Sequence, residues 1–176
     1  MPDRDGFEDN SASANFAYKV AHGQEIGLNL FQSTGSNHYD GSGRTTDYRN
    51  DLSVMNYGAY LKSDFSKNWT STVRIGQSTD KSFDLRNGIA TRRFRTIQEQ
   101  YAWQNDISTA YGRFLLGVER LEQQIDSSSI YTQNSRSINS AILGWNVSHE
   151  AHRLQTTLRR DDNSQLLAQL TAKARG

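Results

Sequence analysis

Hydrophobic and polar residues alternate along most of this chain with a period of two. In residues 11–20, Ala, Phe, Tyr and Val hold the even positions, and Ser, Asn and Lys hold most of the odd ones. A period of two puts alternate side chains on opposite faces of a β-strand, so this segment predicts a strand with one polar side. His22-Gly23 then predicts a tight turn, and the alternation resumes at Ile26 on a returning strand.

Three further hairpins follow the same pattern. Their apolar positions are Met55, Tyr57, Ala59 and Leu61 with Trp69, Val73 and Ile75; Ile97, Tyr101, Trp103 and Ile107 with Phe114, Leu116 and Val118; and Ala141, Leu143, Trp145 and Val147 with Leu154 and Leu158. Their predicted turns are Lys67-Asn68, Tyr111-Gly112 and Ala151-His152. The predicted fold class is therefore all-β, an antiparallel up-and-down meander of about eight strands. These four hairpins occupy residues 1–165.

The connections at the other end of the strands are longer and polar. They are rich in Ser, Thr, Asn, Asp and Gly, and we predict them as long loops: Ser33 to Tyr48, Thr79 to Arg93, and Asp126 to Arg136. Short turns at one rim and long loops at the other are typical of outer-membrane barrels. Phe65, Trp69 and Tyr111 lie beside the short turns, where an interfacial aromatic girdle would be placed. Eight strands are enough to close a small barrel, whereas an open sheet would leave two edges for self-association.

Composition excludes several classes of function. Lys and Arg number 20 against 19 Asp and Glu, and without a basic block we expect no nucleic-acid partner. The chain has no Cys, which rules out a disulfide framework, a Cys-ligated metal and a Cys nucleophile. Ser, Asp and His are present, but no Gly-x-Ser-x-Gly element or similar motif brings them together, so we expect no enzyme activity.

Three short motifs give the chain a resemblance to a known family. Leu158 to Gln165 reads Leu-Arg-Arg-Asp-Asp-Asn-Ser-Gln, Asp5-Gly6-Phe7 precedes the first strand, and residues 100–105 read Gln-Tyr-Ala-Trp-Gln-Asn. In this order they resemble elements of the TonB-dependent outer-membrane receptors, and within them the vitamin B12 (cobalamin) receptors. The resemblance extends from about Asp3 to Gln165.

The resemblance implies a parent barrel of 22 strands around an N-terminal plug, located in the bacterial outer membrane and surrounded by its lipid. It also implies a cobalamin-like ligand held by external loops, and transport driven through TonB. The chain carries about eight strands and no plug, so we expect a barrel-wall fragment of such a receptor. Residues 166–176 leave the pattern and are good helix formers, and we predict a helical or disordered tail.

A calcium site is the one cofactor that the sequence suggests. Asp3 and Asp5 match an Asp-x-Asp-Gly-Phe element that the resemblance associates with Ca²⁺ in Asp-rich external loops, and Asp40 is a looser match in the next predicted loop. Carboxylate oxygens are the ligands that Ca²⁺ prefers. A solvated acidic loop is the alternative reading.

Two other functions fit the strand pattern. One is a complete eight-stranded outer-membrane protein that serves as a structural anchor or adhesin. The other is a soluble β-barrel that binds a small apolar ligand inside, in which the face carrying Phe16, Tyr18, Leu28 and Leu30 would point inward.

Overall fold

The computed structural model describes residues 6–40, 46–149 and 152–164, without the side chains of Asp40 and His149. Its strands are β1 Phe7–Ala21, β2 Gln24–Asp40, β3 Asp47–Ser66, β4 Trp69–Arg86, β5 Ile89–Thr109, β6 Gly112–Ser127, β7 Ser135–His149 and β8 His152–Asn163. All eight form one antiparallel sheet in sequence order, which confirms the predicted all-β meander. Among the described residues, each strand pairs only with its chain neighbours.

The sheet is open, because no hydrogen bonds join β1 to β8 within the described part of the chain. The outer edges of β1 and β8 therefore have no strand partner there. Unpaired edges of this kind add further strands readily, whether from the same chain or from another copy.

The predicted short turns lie close to their observed positions. His22-Gly23 and Lys67-Asn68 are confirmed, while the third turn lies one residue earlier than predicted, at Ala110-Tyr111. The fourth prediction falls partly on Ala151, outside the described residues.

The three predicted long loops have different outcomes. The loop from Asp126 to Arg136 is confirmed to within two residues, the loop from Ser33 to Tyr48 is too long, and the third loop is absent. β2 continues to Asp40, and β6 continues to Ser127 before β7 begins at Ser135. The segment predicted as a loop from Thr79 to Arg93 is mostly strand, because β4 and β5 meet at the two-residue turn Asn87-Gly88. Polar residues on both faces of these extensions resemble loop sequence, although their backbones remain paired.

The Asn87-Gly88 turn depends on its backbone conformation. Both residues have positive φ, 50° and 77°, as a type I′ hairpin turn requires. A Cβ atom at Gly88 would meet nothing within 4 Å. We therefore expect Gly88→Val to destabilise the hairpin by about 1–3 kcal/mol through backbone strain alone. Urea unfolding measures the change, and Gly88→Asn is the control because Asn tolerates positive φ. Equal losses for both variants would contradict this account.

The hairpins are staggered by a constant step. Their last cross-strand pairs are Ala21–Gln24, Ser66–Trp69, Thr109–Gly112 and His149–His152. Gln24 at the start of β2 pairs with Ser63, and Ser63 pairs with Ser71 on β4. β4 begins two residues before Ser71, at Trp69, so the second hairpin extends two residues beyond the first. Ile107 pairs with Trp69, and β5 continues two residues beyond it to Thr109. The third and fourth hairpins are related by the same step.

This stagger defines a strand tilt. Two residues correspond to about 6.6 Å along a strand, and one hairpin occupies about 9.6 Å across the sheet. If the short turns lie in one plane, called here the turn plane, the strands tilt by about 35° from its normal. Barrel strands tilt by about 35–45°.

Candidate functional site

An uncharged apolar belt crosses one face of all eight strands, next to the short turns. We define the apolar belt as Ala14, Phe16, Tyr18, Val20, Ile26, Leu28, Leu30, Tyr57, Ala59, Leu61, Trp69, Val73, Ile75, Tyr101, Trp103, Ile107, Phe114, Leu116, Val118, Ala141, Leu143, Trp145, Val147, Leu154 and Leu158. The strand register places these residues on the same face. Val73 and Leu116, in central strands, are each 43% exposed. The opposite face is called here the polar face.

Nothing in the described part of the chain covers this belt. The described residues form a single layer, and none of their hydrophobic side chains is buried. The chain exposes 13568 Å², whereas a compact monomer of 176 residues would expose about 8700 Å². Exposed apolar surface of this extent marks a contact with another apolar surface.

The polar groups of the tryptophans are all satisfied within the sheet. The indole N–H of Trp69 donates to Asn105 Oδ1 at 3.0 Å, and that of Trp103 donates to Ser71 Oγ at 2.9 Å. The indole N–H of Trp145 donates to the carbonyl of Tyr111 at 2.9 Å. Asn105 and Ser71 are polar residues within the belt, and at 8% and 7% exposure they are buried. They accept the hydrogen bonds of the Trp69 and Trp103 indole groups within the apolar surface.

Aromatic side chains border the belt at both ends. Beside the turns, the Phe65 and Trp69 ring centroids lie 4.7 Å apart. At the far end, Tyr57 donates to Gln77 Oε1 and Tyr101 donates to Glu99 Oε2 at 3.1 Å, while Gln77 Nε2 donates to Glu99 Oε1 at 2.8 Å.

The height of the belt follows from the position of these tyrosines. Tyr57 precedes the last residue of β3 by nine positions, and Tyr101 precedes the last residue of β5 by eight. With the 35° tilt, this places both rings about 22–24 Å above the turn plane.

The polar face carries most of the charges at the level of the belt, and Arg120 and Arg160 lie on the belt face at its far end, opposite Tyr101 and Ala141. Arg159 on β8 donates from Nη1 to Glu119 Oε2 on β6 at 3.0 Å and from Nε to Asp161 Oδ1 at 2.8 Å. Its Nη2 also donates to the hydroxyl of buried Ser140 at 2.9 Å. Arg74 donates to the Gln104 side chain at 3.3 Å. This face therefore suits water or another polar surface.

A groove of ≈ 400 Å³ lies on the polar face over the central strands. Its polar side chains are mostly uncharged: Asn29, Asn56, Tyr60, Ser78, Gln98 and Gln100, with Arg74 and Glu119 at the end nearer the turns. Tyr60 lies across Gly27 of the neighbouring strand, and its hydroxyl donates to Glu25 Oε1 at 2.7 Å.

The predicted calcium ligands are not brought together by anything that the structure describes. Asp3 and Asp5 lie outside the described residues, and Asp40 is the last residue of β2, with its side chain undescribed. Residues 166–176 also lie outside. Within the described ranges, no group of three acidic or His side chains is placed to hold a metal ion. Calcium binding therefore stays a prediction.

The acceptor roles of Ser71 and Asn105 were not foreseen from the sequence. Both interrupt the apolar alternation, and Asn105 reads as an exception on its strand. Only the register shows that the two residues are cross-strand partners, each diagonal to a tryptophan. A polar residue two positions from a Trp on an apolar strand face is the signal that could have found them.

Comparison with known proteins adds no assignment. No protein-family model and no curated protein matches the chain. Among the described residues, no helix has the length and hydrophobicity needed to cross a membrane.

Proposed function

We propose that this chain is a segment of the wall of an outer-membrane β-barrel, with the apolar belt against lipid and the polar face toward the lumen. The observation that carries the proposal is the uncharged belt that crosses all eight strands. Its height of about 22–24 Å is close to the roughly 25 Å apolar band of membrane barrels, which aromatic girdles also flank. With the short turns in one plane, the two-residue step corresponds to a strand tilt of about 35°, which agrees with the same class.

The hydrogen-bonded indole N–H groups of the tryptophans also support a belt that faces lipid. Lipid offers no hydrogen-bond partners, so polar groups that face it must be paired within the protein. All three tryptophans of the chain meet this requirement. A soluble β-barrel with the belt inside would need a closed sheet, and the described strands form an open one.

The receptor class rests on the sequence resemblance. On that basis we propose that the parent barrel is a TonB-dependent receptor for uptake of cobalamin or a similarly large ligand, with TonB as the partner of the whole receptor. The open edges at β1 and β8 support a segment of a larger wall over a complete eight-stranded barrel. The segment itself is assigned no catalysis.

Single-cysteine labelling tests which face meets lipid. Because the chain has no Cys of its own, the label attaches only at the introduced residue. Leu143 belongs to the belt, and its neighbour Ile142 points to the polar face. Leu143→Cys and Ile142→Cys are labelled with bimane and reconstituted in vesicles. We expect brominated acyl chains to quench the label at 143 several-fold more than the label at 142, and aqueous iodide to quench in the opposite order.

The two positions form a matched pair, since both replace a large aliphatic residue on the same strand. Equal quenching by brominated lipid at both positions would overturn the lipid-facing assignment. Full solubility without detergent would also overturn it, and would favour a soluble barrel.

A further inference from the structure

Two pairs of like charges lie directly opposite each other on the face that carries the belt. Glu99 on β5 faces Glu122 on β6, and Lys81 on β4 faces Arg95 on β5. Like charges directly opposite on neighbouring strands destabilise a sheet unless something compensates them. The two pairs differ in whether the sheet provides that compensation.

The acidic pair is compensated by hydrogen-bond donors within the sheet. Glu99 accepts hydrogen bonds from Tyr101 at 3.1 Å and from Gln77 at 2.8 Å. Glu122 accepts one from Arg120 Nε at 2.7 Å. The carboxylates are therefore held by donors from their own surroundings.

The basic pair lacks equivalent acceptors. Lys81 and Arg95 are both half-buried, and neither forms an ion pair or a side-chain hydrogen bond with any described residue. Arg95 Nε is shielded from solvent and without a partner. Asp126 lies opposite Arg95, but Arg93 binds both of its carboxylate oxygens, at 3.1 and 3.2 Å.

The remaining neighbours on this face do not neutralise the pair. Ser53 lies opposite Lys81 on β3, and Asp51, the nearest acid on that strand, is paired with Arg49 at 3.0 Å. Lys81, Arg93 and Arg95 against Asp126 leave a local charge of two positive units. An anion with several acceptor oxygens would supply the hydrogen-bond acceptors and the negative charge that this pair lacks within the described sheet.

The position of the pair indicates where such an anion comes from. Lys81 lies twelve residues beyond Trp69 on β4, which is about 32 Å above the turn plane and about 10 Å above Tyr57 and Tyr101. This is the depth of lipid headgroups next to the hydrocarbon region. The pair also shares its face with the belt.

We propose that Lys81 and Arg95 bind the phosphate of a membrane lipid headgroup whose acyl chains lie against the apolar belt. The inference rests on the proposed function, because it requires lipid on the belt face. Lys81 and Arg95 are direct cross-strand partners, so their backbones lie about one strand spacing apart. A phosphate group offers three or four oxygens, which Lys and Arg recognise readily.

The test is lipid binding by the intact chain in detergent micelles, measured by native mass spectrometry. The probes are dioleoyl phosphatidic acid and dioleoylglycerol, which differ only in the phosphate. We expect selective binding of phosphatidic acid, weakened at least about tenfold in the Lys81→Gln, Arg95→Gln double variant. The control is Arg74→Gln with Arg113→Gln, which removes two cations from the polar face and should change binding less than about twofold.

A second variant separates binding from folding. Lys81→Glu places an opposite charge across from Arg95, so it should abolish phosphatidic acid binding while the unfolding temperature holds or rises. Unchanged binding in either Lys81 variant would overturn the proposal, as would equal binding of the two lipids. Inorganic pyrophosphate that displaces the lipid completely would show a site for free anions and overturn the lipid assignment. Failure of the proposed function is seen separately, in the bimane quenching at position 143.

Discussion

Leu116→Arg should destabilise the lipid-embedded protein by about 2–4 kcal/mol, the cost of an arginine near the middle of a bilayer. Leu116 lies in the belt four residues from the start of β6, about 11 Å above the turn plane. The same substitution on a water-exposed surface would change stability by about 0.5 kcal/mol or less. Reversible urea unfolding in lipid vesicles measures the difference.

Leu115→Arg is the matched control, because Leu115 is the preceding residue and lies on the polar face. It stands opposite Asp106 on β5, which would offer the new guanidinium a partner. We expect a loss of at most about 1 kcal/mol there. Similar losses at both positions would mean that the two faces meet the same environment, against the proposed membrane orientation.

Gly27→Ala should lower the free energy of unfolding by about 1–3 kcal/mol, because a neighbouring side chain already occupies the space that the new methyl group needs. A Cβ atom at Gly27 would lie 2.0 Å from Cε1 of Tyr60, whose ring covers the glycine. The ring would have to move, and its hydroxyl would lose the hydrogen bond to Glu25. Thermal unfolding of the two proteins compares their stability.

Two further variants isolate the cause. Gly117→Ala has its nearest neighbour at 3.6 Å, so it should be nearly neutral. Combining Gly27→Ala with Tyr60→Ser removes the clash, and the added cost of the alanine should then vanish. If Gly27→Ala lowers stability equally in the Tyr60→Ser background, the effect comes from the loss of glycine at this position and not from a clash with the Tyr60 ring.

Alternation and turn residues were sufficient to predict the sheet. The face of the belt was predicted because most hydrophobic residues near the short turns lie on one side of each strand, with Leu115 and Ile142 as exceptions on the polar face. The polar halves of the same strands were not predicted as strand, because a segment with polar residues on both sides shows no alternation of hydrophobic and polar residues. Asn87-Gly88 is a strong hairpin signal, yet it lies within a Ser, Asp and Arg-rich stretch that reads as a loop.

Only the parts of the candidate site that depend on local sequence could be predicted. Phe65, Trp69 and Tyr111 are adjacent to turns, so their place at the rim follows from local sequence. The Lys81–Arg95 pair and the Ser71–Asn105 pair each join residues from two strands. Their contacts depend on the register of β4 and β5, which the sequence does not define because the intervening turn has the composition of a long loop.

The constant two-residue step between hairpins makes each hairpin a repeat unit of the wall. Every unit continues the slope of the one before it, so further hairpins can be added at either edge without changing the tilt. At this slope each strand occupies about 6 Å of circumference. In the proposed membrane barrel, the width of the pore would depend on how many units are joined, while the height of the apolar belt would stay the same.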